Sequence, residues 1–177
     1  QASSRQTSAL VSDLELWRQA AAMIIRNGAP FPAANVHNYV YLFSNSEDIQ
    51  HFTAGEETAF FSSTPRANFM ALVAGDDESR KYALHRYAHF LQKNFYDLRV
   101  PRWYEEGMAG YLSRLTISRG KPELERVTPE AHELMAAIND ELSMERFLYR
   151  DEALASPRLI QIANLKSESL LQFLLHG

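Results

Sequence analysis

Leu10, Leu14, Trp17 and Ala21 recur at the spacing of one helical face, after a Ser-, Gln- and Ala-rich stretch over 1–8 that predicts a frayed terminus. Asn27-Gly28 supplies a C-terminal stop, and Pro30 and Pro32 prevent continuation. The pattern then changes. Val36 to Phe43 is rich in β-branched and aromatic residues and predicts a strand. Ser44 to Phe52 predicts a short capped helix, and Thr58 to Ser63 and Asn68 to Ala74 predict two further strands joined by a Thr64-Pro65-Arg66 turn.

From Asp76 onward the helical period returns. Tyr82, His85, His89 and Gln92 form one stripe, with Leu84, Ala88 and Leu91 beside it, and Asp76 or Asp77 is placed to cap the start. A loop around Asp97 to Pro101 leads to a second helix from about Trp103 to Ser113, followed by a hairpin within Thr116 to Arg126. Helix starts follow at Thr128-Pro129-Glu130, Ser143-Met144-Glu145 and Ser156-Pro157. The fold class is therefore α+β: a small N-terminal mixed sheet with helices, then a mostly helical C-terminal half, in one domain spanning 1–177. Tyr39, Tyr41, Phe43, Phe60, Phe61 and Trp103 are expected to pack the core, and Trp17 to anchor the first helix to it.

Composition narrows the function classes. At 46% hydrophobic and 23% charged, the chain lies in the globular range rather than among disordered sequences. A net charge of −4 without a basic cluster argues against a nucleic-acid partner, and no apolar run is long enough to span a bilayer. The absence of cysteine leaves His, Asp and Glu as the possible metal ligands. A chain starting at Gln1 rather than Met suggests either a processed product or a trimmed chain, with any targeting segment already removed.

The segment with chemical content is His85-Arg86-Tyr87-Ala88-His89, followed by Glu106 within Pro101-Arg102-Trp103-Tyr104-Glu105-Glu106-Gly107-Met108-Ala109-Gly110-Tyr111. Histidines four apart on a helix project from one face, so both imidazoles can reach one ion. A carboxylate from a following helix can complete a His2Glu set with a position left open. His37, His51, His132 and His176 are isolated and are expected to be ordinary surface or strand residues.

These two segments resemble the gluzincin zinc metallopeptidases, in particular a bacterial peptidase-MA-like family of largely unknown function. Its pattern runs His-Glu-x-x-His, then Pro-x-Trp-x-x-Glu-Gly-x-Ala-Glu-Tyr. Tyr39 to Phe43, Phe60-Phe61 to Asn68 and the closing stretch Ser169 to His176 look similar too. The resemblance implies a zincin-like fold, zinc bound by His85, His89 and Glu106, and an exported or periplasmic setting. It also implies a peptide or protein segment as partner, lying along an edge strand made of Asn68, Phe69, Met70, Ala71 and Leu72.

Two positions depart from that pattern. Arg86 stands where the family has the glutamate that takes a proton from the metal-bound water. A guanidinium has no acceptor and stays protonated, so it cannot take over that step. Set ~6–8 Å from a divalent ion, it would also cost on the order of a few kcal/mol. The prediction is a catalytically inactive, degenerate peptidase with a vacant or weakened site. With Arg86 turned toward Glu105 or Asp97, zinc would remain as a structural ion; without zinc, Arg86 or the histidines would pair with Glu106, and the chain would keep a peptide-binding groove or a structural role. The alternative is an active zinc-dependent peptidase or hydrolase using another base, for which Glu105 is poorly placed, about 100° around the helix from Glu106. Gly110 is the second departure, standing where the family has a supporting glutamate.

Overall fold

The computed structural model describes residues 3–32, 36–51, 59–95, 100–125, 142–149 and 156–176. Helix α1 (Ser4–Ile25) is followed by β1 (His37–Phe43), the short α2 (Ser46–Gln50), β2 (Ala59–Ser63) and β3 (Ala67–Val73). The long α3 (Asp77–Phe95), α4 (Arg102–Ser113) and the hairpin β4 (Leu115–Ser118) and β5 (Lys121–Leu124) come next. The short α5 (Met144–Leu148) and the closing α6 (Pro157–His176) complete the chain. A mixed α/β N-terminal region thus precedes a largely helical C-terminal one, the α+β arrangement that the periodicity predicts and one consistent with a zincin-like fold. The helix start at Thr128-Pro129-Glu130 and the residues Asp97 and His132 lie outside the described residues.

The stretch expected to fray enters α1 from Ser4. Ser3 and Gln6 close a reciprocal capping box there, so residues that look merely polar satisfy the helix's first orphan donors. At the start of α3, Asp76 Oδ1 accepts from the backbone N–H of Glu78 and Ser79 at 3.0 and 3.1 Å.

The sheet corrects a second expectation. Its order is β1-β3-β2, with β1 parallel and β2 antiparallel to β3. Asn68, Phe69, Met70, Ala71 and Leu72 therefore belong to the central strand, hydrogen-bonded on both sides, and offer no free edge to a peptide. The physical reason is in the run itself. Phe69 to Val73 is continuously apolar, as a strand covered on both faces must be, and all but Phe69 are fully buried.

Sheet alternation also sorts the aromatics. Met70 and Leu72 point into the main core with Val40, Leu42 and Phe61, whereas Ala71 and Val73 face the opposite side with Phe43 and Ile49. Tyr39 and Tyr41 fall on that second face and are 47% and 50% exposed, so they are not core residues, and Phe60 is exposed as well. Phe43, Phe61 and Trp103 do pack against apolar clusters. Trp17 is fully buried as expected, and its indole Nε1 donates to the Leu112 carbonyl at 2.8 Å, tying α1 to α4. Among the described residues no helix is long and apolar enough to cross a membrane.

Candidate metal centre

Helix α3 is held by two unlike faces. Ala83, Leu84, Tyr87, Ala88 and Leu91 sink into the core, where Tyr87 packs on Trp17 and on Phe61 with ring centroids 5.6 Å apart in each case. The other face carries Lys81, His85 and His89 at intervals of one turn and meets α4. Helix α4 presents Glu106, Gly110 and Arg114 at the same interval, and the two run antiparallel: His89 lies beside Glu105 and Glu106, while Arg80 reaches the Leu115 carbonyl. Gln92, buried in the seam, donates to the Glu105 carbonyl at 3.0 Å and fixes the helices' relative height.

This register brings three donor atoms together. His85 Nε2 and His89 Nε2 are 3.1 Å apart, and Glu106 Oε2 lies 3.5 Å from the first and 3.4 Å from the second. A four-coordinate ion bonded at about 2.0–2.1 Å to nitrogen and oxygen separates its ligands by about 3.3 Å, so the three spacings fit one small cation. The donor chemistry agrees. Two imidazole nitrogens and a carboxylate oxygen turned on one point are all lone-pair donors when neutral histidine faces carboxylate. The side chains are 27%, 15% and 19% exposed, so the cluster is mostly enclosed yet accessible from solvent. Burial alone would raise the Glu106 pKa, but hydrogen bonds and charge from His85 and His89 outweigh it and hold the carboxyl well below the usual carboxylate range. Glu106 is thus anionic, as a ligand must be.

Glu105 has a supporting position. Its Oε1 lies 3.3 Å from His89 Nδ1, so it can accept the Nδ1 proton and leave the Nε2 lone pair free for an ion. The angular offset from Glu106 predicted by the helix is what carries Glu105 around to the far side of the His89 ring.

The arrangement overturns the reading of a degenerate site. His85, His89 and Glu106 form an intact triad rather than one disrupted by arginine or collapsed onto it. Arg86 is exposed and lies over the ring of Tyr82, one turn back, with Cζ 5.3 Å from the centroid and Nη2 3.5 Å from the hydroxyl. It pairs neither with Glu106 nor with Glu105. The cation with a contact to Glu106 is Arg102, whose Nε is 4.0 Å from Oε1. The helical pitch explains this: residue 86 is rotated about 100° from residue 85 and leaves the seam.

One charged neighbour of α4 is not legible in the motif. Glu168, on α6, pairs with Arg114, and its carboxylate fills the space beside Gly110, where an added Cβ would lie 3.2 Å from Cδ and 3.3 Å from Oε2. Burial pushes its pKa up, against the opposing pull of Arg114. The available signal was weak: Lys166 and Glu168 are charged positions in an otherwise largely apolar closing helix. Of the other histidines, His37 and His51 are exposed as expected, while exposed His176 also engages the Tyr111 hydroxyl at 2.8 Å.

A cavity of about 550 Å³ between α1 and the sheet, lined in part by Leu14, Arg18, Phe31 and Met70, contains none of the three donors. Glu15, His37 and Asn38 also line it beside Arg18, but the ligand-type donors that converge on one point lie at the α3–α4 seam. No protein-family profile matches this chain, and neither the curated proteins nor the solved structures compared with it give a match. The case for this site therefore rests on its own geometry: a His/His/Glu cluster compatible with a metal ion, built between α3 and α4.

Proposed function

We propose that the chain is a zinc-dependent hydrolase of the gluzincin type, acting on peptide bonds, with His85, His89 and Glu106 as the metal ligands. The observation that carries this reading is the 3.1–3.5 Å triangle of Nε2, Nε2 and Oε2. The ligand identities favour zinc, for which two imidazoles, one carboxylate and an open position form a known catalytic set. Zinc bound there would act as a Lewis acid and bring the pKa of a bound water to about 7.

The chain's own residues divide the remaining tasks. Glu105 orients His89, and Gln92 holds Glu105 in register through the backbone. Arg86 is excluded as the base because it has no acceptor. A water acidified in that way would give up its proton to solvent and the leaving amine would take one from solvent, so neither transfer would require a carboxylate at position 86. Arg86 instead lies over the exposed ring of Tyr82, outside the seam. Peptide as substrate, and an exported setting, follow from the resemblance of the two motif segments.

The test is elemental analysis of protein purified without chelator, together with hydrolysis of a mixed peptide library. Wild type should carry about one zinc per chain and cleave peptides. His89→Ala and Glu106→Gln should each lose the metal, because truncation removes one of three ligands. Chelator should abolish cleavage and added zinc restore it. A wild-type protein that takes up no zinc when offered it would sink the reading. Zinc binding without hydrolysis of any peptide would remove the peptidase assignment and keep the metal site.

A further inference from the structure

Helix α1 meets the rest of the molecule along two adjoining stripes. Trp17 and Ala21 are fully buried in the core, whereas Leu14, Arg18 and Ala22 line the cavity of about 550 Å³ that lies against Phe31 and the sheet. Its far walls include Val40 of β1, Phe61 of β2, Met70 of β3 and Tyr87 of α3. Voids left by imperfect packing are rarely larger than a water molecule, while pockets that enclose small organic molecules span about 300–1,000 Å³. This cavity belongs with the second kind. It also reaches the surface, since the exposed residues Glu15, Gln19 and His37 are part of its lining.

The polar groups around it share one chemistry. Arg18 Nη2 donates to the Pro32 carbonyl at 3.1 Å, and its Cζ lies 5.7 Å from the centroid of the Phe31 ring. These contacts hold the guanidinium in place and commit one of its several N–H donors. Among the described residues Arg18 pairs with no carboxylate, Glu15 of the preceding turn included. Asn38 Oδ1 accepts from Asn68 Nδ2 at 2.7 Å, which leaves Asn38 Nδ2 as a donor. Buried Tyr87 is held by its ring against Trp17 and Phe61, and its hydroxyl has no hydrogen-bond partner among the described residues. Burial pushes the pKa of that hydroxyl up, so it stays a neutral donor.

We propose that this cavity is a binding site for an apolar monocarboxylate. The hydrocarbon part would lie against Leu14, Val40, Phe61 and Met70, and the carboxylate would be met by Arg18, with Asn38 and Tyr87 as further donors. Burial of the hydrocarbon supplies affinity, and the charge-assisted hydrogen bond between guanidinium and carboxylate fixes orientation. A neutral chain of the same length lacks that bond, and an ammonium in its place is repelled by Arg18. The site is separate from the metal centre. Tyr87 lies between His85 and His89 in the chain but on the core-facing side of α3, and none of the three metal donors lines the cavity.

The experiment is calorimetric titration of the full chain with decanoate, 1-naphthoate, decanol and decylamine, with the unfolding midpoint of each variant recorded without ligand. At least one of the two carboxylates should bind saturably, and the tighter of them identifies an aliphatic or an aryl tail. Decanol and decylamine should bind at least about tenfold more weakly. Arg18→Gln should weaken carboxylate binding about 10- to 100-fold, Arg18→Lys by less, and Tyr87→Phe by about fivefold. Leu14→Trp should abolish binding by filling the cavity. His89→Ala should bind the carboxylate as wild type does, because a carboxylate held by a metal at the α3–α4 seam would be lost there. Failure of both carboxylates to saturate wild type would overturn the proposal. So would decanol binding as tightly as decanoate, an Arg18→Gln variant with wild-type affinity, or loss of binding in His89→Ala.

Discussion

Helix α4 makes two contacts of opposite character. Toward α6 it is close-packed through backbone, at Gly107 against Ser167, with Leu171 beside them. Toward α3 it is held by groups that carry or share charge: Gln92 on the Glu105 carbonyl, His89 on Glu105, and both histidines on Glu106. The first contact tolerates no added volume. The second tolerates exchange, because polar partners 3 Å or more apart can be rearranged around an ion or a proton. The lesson is a division of labour within one helix: the α6 side fixes where α4 sits, and the α3 side is left free to do chemistry.

The sharpest way to break this contrast is Gly107→Ala. The new methyl would lie 2.4 Å from a backbone oxygen, which cannot rotate away as a side chain can. Overpacking of this kind costs about 3 kcal/mol, and the better helix propensity of alanine returns about 1 kcal/mol of it. A net loss of about 2 kcal/mol should appear as a lower urea midpoint with little change in slope. A variant as stable as wild type would mean that the two helices can separate at no cost and that the α6 side is not the fixed one. The matching change on the polar side is Glu105→Gln. Its folding stability should stay close to wild type, since Glu105 is part-exposed. Its zinc affinity should fall by about tenfold, or about 1.4 kcal/mol, from loss of the anionic partner of His89. A loss of stability without a loss of zinc would reverse the roles assigned to the two faces.

The same division explains what the sequence made legible. Periodicity located α3 and α4 to within a residue or two. The spacing of His85 and His89 put both on one helical face, and the resemblance of the second segment singled out Glu106, on the following helix, as their partner. Functional consequences of single residues were harder to read. Arg86 looked disruptive because of its place in a motif, yet the helical rotation that separates it from His85 also takes it out of the seam, onto Tyr82. The family resemblance implied an edge strand at Asn68 to Leu72, although the unbroken apolar run from Phe69 to Val73 signalled a central one. Tyr39 and Tyr41 are aromatic and yet exposed, since strand alternation decides the face and aromatic character does not. Glu168 depends on how α6 docks, and no local pattern encodes that.

The smallest expected effect lies at the far end of the polar seam. Lys81 Nζ is 3.0 Å from Glu125 and 3.2 Å from Glu78, and so links α3 to the residue that follows the hairpin. Partial burial lowers its pKa, but the hydrogen bonds and charges of Glu125 and Glu78 outweigh that, and the net shift is upward from the ordinary value of 10.5. A group whose folded pKa is raised contributes stability that is fully present below the unfolded pKa and disappears as pH rises through the folded one. Lys81→Met should therefore cost about 0.5 kcal/mol near pH 8, in keeping with a part-exposed ion pair. The difference from wild type should shrink as pH climbs above 10.5, and it should shrink in high salt as well. Denaturation curves for both proteins at pH 8 and pH 11 decide the matter. A gap that stays constant across that range would mean that Lys81 contributes through its packed methylenes rather than its charge, and that the seam's electrostatic character ends at the histidines.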